Sequence, residues 1–84
     1  MNIYYDPKKF GLRKVTEDDF GRSYEFDMFV VWRNSEGTWF WGCDSGCSCP
    51  SPFEITGLQD LEHSEDAKEP IAALKSWAKE RGDV

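Results

Sequence analysis

Long apolar runs are missing from this sequence: no stretch of 18 apolar residues occurs in its 84 positions, so a helical membrane span is not expected. Nor does a basic, apolar and small-residue leader open the chain, and the expectation is a protein that stays in the cytoplasm. An excess of positive charge is lacking too. Ten Lys and Arg stand against sixteen Asp and Glu, a net of −6, and binding to duplex nucleic acid is not expected because phosphate contacts draw on clustered Lys and Arg. The glycines at 37, 42, 46 and 57 have neither the spacing nor the lysine of a phosphate loop. The single histidine, His63, lies among Glu62, Ser64 and Glu65, where a solvated side chain is expected rather than a general base. With so little cleft available to a chain of this length, an enzyme is not expected. One domain, residues 1–84, fits the length, and 39% hydrophobic residues are enough to fold it despite 31% charged ones.

What the sequence does have is unevenly placed. Trp32, Trp39 and Trp41 fall within ten residues, and the acidic excess belongs to the C-terminal third, where Glu54, Asp60, Glu62, Glu65, Asp66 and Glu69 meet only Lys68. Such a stretch reads as a solvated loop leading into a helix, or as an anionic surface toward a basic partner.

Residues 24–33 alternate apolar and polar and then become apolar on both sides, with the β-branched and aromatic content of a strand. Asn34-Ser35-Glu36-Gly37 supplies turn chemistry before a second β-prone run from Thr38 to Cys43, which predicts a hairpin over 24–43. A turn centred on Ser35 and Glu36 sets Trp32 opposite Trp39, Val30 opposite Trp41 and Met28 opposite Cys43. That register makes Tyr24, Phe26, Met28, Val30, Trp32, Trp39, Trp41 and Cys43 the core face. It leaves Phe29, Val31 and Phe40 as an apolar island on the other face, a candidate interface for a protein partner or a second copy. Leu12 to Glu17 is the candidate third strand, with Val15 and Phe10 pointing inward.

Ala67, Ile71, Leu74 and Ala78, with Trp77 beside them, form the stripe of an amphipathic helix, and Gly82 stands where a helix stop is expected. Pro70 at the first helical position predicts a helix over about 70–81. The expected fold is therefore α+β: an antiparallel sheet of about three strands, with the helix laying Ile71, Leu74 and Trp77 on its Trp-rich face.

Three cysteines in seven residues, Cys43, Cys47 and Cys49, are spaced C-x3-C-x-C, and with His63 or Asp44 they offer a tetrahedral set for zinc. Zinc sites more often come as paired C-x2-4-C units, so reduced thiols packed as small hydrophobes, with Cys43 inward, are the first expectation and metal binding the alternative.

Tyr4 to Leu12, Phe29-Val30-Val31-Trp32 and above all the string Ser45-Gly46-Cys47-Ser48-Cys49-Pro50-Ser51-Pro52-Phe53-Glu54 resemble a family of small uncharacterised proteins encoded by actinobacteriophages. The resemblance covers residues 4 to about 61. It implies a phage product acting in the cytoplasm of a bacterial host, where thiols stay reduced, and it implies no catalytic residue. The function expected is a non-enzymatic accessory protein that binds a host protein or itself. The candidate surfaces are Phe29, Val31 and Phe40, and the acidic residues Asp60, Glu62, Glu65 and Asp66. A zinc module and an acidic inhibitor imitating nucleic acid are the alternatives.

Overall fold

The structure, a computed structural model, describes residues 2–21, 25–47, 52–54 and 56–81, with Cys47 described by its backbone alone. Tyr24, Cys49 and Gly82, each given a role by the sequence, lie outside the described residues, as does the Cys47 side chain. A 3₁₀ turn at Pro7–Phe10 leads into β1 (Leu12–Asp19), β2 (Glu25–Asn34) and β3 (Trp39–Cys47). A second 3₁₀ turn (Leu58–Asp60), β4 (Glu62–Ser64) and α1 (Lys68–Glu80) complete the order. The four strands form one antiparallel sheet in the order β1-β2-β3-β4. The α+β class is as expected, with a fourth strand in place of about three. That strand, β4, is three exposed or half-exposed polar residues paired with Trp39, Phe40 and Trp41, too short and too polar to show an alternation in sequence.

The hairpin register differs from the expected one by a single residue, and the cause is the turn. Asn34 N–H donates to the Thr38 carbonyl at 3.0 Å and Gly37 N–H to the Asn34 carbonyl at 3.2 Å, which encloses a three-residue loop, Ser35 to Gly37. Gly37 takes φ +89°, the left-handed conformation that closes such a loop. Asn34 Oδ1 holds the turn by accepting from the N–H groups of Glu36 and Thr38. Val31 therefore faces Trp41, Trp32 faces Phe40 and Phe29 faces Cys43. A one-residue slip carries every β3 side chain to the other face.

Two small cores result, one on each side of β2. Phe26, Met28, Val30 and Trp32 pack with Ile3, Leu12, Phe53 and Leu61, and Phe40 lies partly buried against them. Phe29 and Val31 pack on the opposite side with Trp41 and Trp77, beneath α1. The expected apolar island is thus interior: Phe29 and Val31 are each only 4% exposed, and Phe40 belongs to the other face. Cys43, expected inward, is exposed. Gly42 leaves room for this arrangement, since a Cβ there would stand 2.8 Å from Leu61 Cδ2 and 3.5 Å from Phe53 Cε1.

The helix begins two residues before Pro70. Asp66 Oδ1 accepts from Lys68 N–H at 2.9 Å and its carbonyl accepts from Glu69 N–H at 3.1 Å, so the chain is capped ahead of the proline. Pro70 then lies within the first turn, where a missing N–H costs nothing. Trp77 is buried against Phe20 and Phe29 with ring centroids 5.2 and 5.7 Å away. Ile71, expected on the sheet, is 52% exposed. At the far end Arg81 spans 54 residues of sequence to reach Asp27 on β2. Its Nε and Nη2 donate to the two carboxylate oxygens at 2.8 Å each, and its guanidinium lies 4.3 Å over the Trp77 ring.

Candidate functional site

Among the described residues β1 presents an eight-residue edge, Leu12–Asp19, with β2 as its only strand neighbour. On the other side β4 pairs with Trp39 to Trp41 and leaves residues 42–47 of β3 without an outer strand partner among the described residues. Within β1 the pairing skips Val15: Lys14 faces Trp32 and Thr16 faces Val31. This bulge turns Val15, expected in the core, out to 41% exposure. It also reverses the parity of residues 16–19. Lys14 and Glu17 share the face of Trp32 and Val30, while Arg13, Thr16 and Asp18 share the face of Phe29, Val31 and α1.

On that second face α1 stops short of β1. The gap is a groove of about 170 Å³ bounded by Val15, Thr16, Val31, Trp39, Pro70 and Leu74, with wholly apolar walls. Ile71 also lines it. Trp39, at the groove wall, carries the Arg33 guanidinium 4.5 Å over its ring. On the first face Tyr4 Oη donates to both oxygens of Glu17, at 3.0 and 2.9 Å. Lys14 pairs with the same carboxylate and stands 5.2 Å over the Tyr4 ring. Burial, then the bond to Glu17 and its charge, push the Tyr4 phenol from 10.0 up to about 12.

The acidic residues named from sequence are put to local use or left in solvent. Asp60 Oδ2 accepts from Gly57 N–H at 2.9 Å and closes the 3₁₀ turn. Asp66 caps α1, Glu62 stands exposed on β4 opposite Trp41, and Glu65 is exposed between strand and helix. Of the zinc set, Cys43 and His63 lie on opposite faces, Cys43 across from Phe29 and His63 beside Phe40, its ring tilted against the phenyl with centroids 5.8 Å apart. Among the described residues no three His, Cys, Asp or Glu come together in a metal-binding cluster. A second cleft, of about 330 Å³, opens between β3 and β4 beside Trp41, Cys43, Phe53 and Leu61. Phe53 is held there at φ 59°, its N–H bonded to Asp44 Oδ2 at 2.8 Å and its ring set edge-on to Trp32 at 5.3 Å.

Sequence reasoning missed the β1 edge as a site. Its signal was present in Leu12-Arg13-Lys14-Val15-Thr16-Glu17-Asp18-Asp19, basic at one end and acidic at the other, but the bulge that organises those charges was not visible.

A family model matches residues 1–82, helix included. The chain belongs to the family described as domain of unknown function DUF7574. The match extends past the 4–61 range of the resemblance read from sequence, so α1 is part of the family domain. Neither the curated proteins nor the solved structures contain a match. No described helix is long and apolar enough to cross a membrane.

Proposed function

We propose that this member of the DUF7574 family is a non-enzymatic phage accessory protein that acts in the cytoplasm of a bacterial host by binding another polypeptide. The partner adds an extended segment to the free edge of β1, and one of its apolar side chains enters the groove beside α1. The observation that carries this reading is the coincidence of the two features: an eight-residue unpaired strand edge and, directly alongside, an apolar groove. Strand addition draws its affinity from main-chain hydrogen bonds and its specificity from pockets spaced along the edge. The phage setting rests on the resemblance of residues 4 to about 61.

A photo-crosslinking residue placed at Thr16 tests it in bacterial cells, with Gln59, exposed on the far side of the sheet, as control. Adducts to a polypeptide from position 16 and none from position 59 are expected. Equal yields from both positions, or none from either, refute the reading.

A further inference from the structure

The order of charges along β1 names the segment that this edge accepts. We infer that the added strand is β1 of a second copy, paired antiparallel about a two-fold axis between Val15 and Thr16; this inference rests on the strand-addition reading above. In that register residue 13 meets residue 18 of the other copy, and residue 14 meets residue 17. Arg13 then faces Asp18 and Lys14 faces Glu17, each twice by symmetry.

The bulge is what makes the pairing work. Residues 13 and 18 differ in parity, so on a regular strand they would point to opposite faces and never meet across the axis. The skipped residue at Val15 brings Arg13 and Asp18 to the helix face and Lys14 and Glu17 to the other. Both cross-axis pairs therefore join side chains on one face. Arg13 and Asp18 are exposed and have no ion-pair partner among the described residues. Lys14 and Glu17 already touch within one chain, and the second copy would extend that contact to an alternating ring of four charges. Protected edge strands carry charged side chains, proline or a bulge that twists the edge away. Here the signs are segregated by half-strand, which attracts an antiparallel copy and repels a parallel one.

A two-fold normal to the sheet sets both helices on the same side. The exposed Val15 and Ile71 of each copy then border one trough over the central strand pair, which gives the apolar groove a continuous wall. The other edge offers no such charge pairing: β4 has three residues, Glu62, His63 and Ser64, and the stretch of β3 beyond it, residues 42–47, carries Asp44 as its single charge.

The test uses the purified full chain, measured by native mass spectrometry and sedimentation at concentrations up to about 0.5 mM, a range that captures weak strand-edge contacts. A dimer is expected. Arg13→Glu replaces two attractions with two repulsions, as does Asp18→Arg, and each alone should weaken the dimer at least about tenfold. Mixed in equal amounts, the two variants restore both ion pairs and should form the heterodimer. Amide exchange should slow in β1 with rising wild-type concentration and not in β4. A wild-type chain that stays monomeric, two variants that dimerise like wild type, or a mixture that fails to recover would each overturn self-pairing. A monomeric chain whose Thr16 crosslinks reach a polypeptide of different mass overturns self-pairing but keeps strand addition. A monomeric chain with no Thr16 adduct removes both.

Discussion

The Asp27–Arg81 pair fastens the end of α1 to the central strand, and its contribution can be worked from its geometry. Two parallel N–H···O bonds of 2.8 Å join side chains that are 26% and 27% exposed, a setting between an open surface pair and a buried one. Exposed pairs contribute about 0.2–1 kcal/mol and breaking a buried pair costs about 3–5, so a coupling of about 1–2 kcal/mol is expected here. Arg81→Ala also removes the guanidinium from the Trp77 ring, 4.3 Å away, worth about 0.5–1 kcal/mol more. The total, roughly 1.5–3 kcal/mol, lowers Tm by roughly 6–24 °C in a domain of this size. Arg81→Lys keeps the charge but not the planar fork and should recover only part of the loss. Hydrogen bonding to Asp27 and the charge of that carboxylate raise the Arg81 pKa above its ordinary value, so the cation persists across the usable pH range. Urea unfolding of wild type, Arg81→Ala, Asp27→Asn and the double variant, read by tryptophan fluorescence, closes the thermodynamic cycle. A coupling below about 0.3 kcal/mol would refute the reasoning, because it would mean that packing of Trp77 alone seats the helix.

Phe29→Ser should unfold or nearly unfold the domain, since the ring is buried against Trp77 and its loss costs about 3–5 kcal/mol; a folded variant with an unchanged urea midpoint would return Phe29 to the surface. Tyr4 gives an alkaline signature. Its folded pKa, about 12, lies above the unfolded 10.0, so the native state holds the proton more tightly and its contribution is whole below pH 10 and lost as pH rises toward 12. The stability gap between wild type and Tyr4→Phe should therefore be constant below pH 10 and shrink above it, as tracked by urea midpoints across that range; a gap that widens would show that the phenolate is the form favoured on folding.

Much of the frame was legible in the residues. The β-branched and aromatic run of β2, the 3.6-residue stripe from Ala67 to Ala78 and the turn residues at 34–37 each specify an element through local backbone and packing preferences. β4 was not legible, because three polar residues become a strand only when Trp39 to Trp41 lie alongside to pair with them. Spacing along the chain likewise does not show that Cys43 and His63, both named for zinc, fold onto opposite faces of the sheet.

The face of every residue on β3 hung on one turn residue. Asn34 to Gly37 announces a turn in any reading, but whether two or three residues lie in the loop is decided by the φ +89° of Gly37 and the bonds across it. The same holds for β1, where the bulge at Val15 brings basic and acidic ends of the strand into two sets, Arg13 with Asp18 on one face and Lys14 with Glu17 on the other, beside the groove next to α1. By itself the sequence determined that β2, β3, the turn at 34–37 and α1 would form, since those preferences act over a few neighbouring residues. Only the tertiary structure decided the register, the face that α1 covers and the charges that share an edge, because each depends on contacts between segments such as Asp27 and Arg81 that lie far apart in the chain.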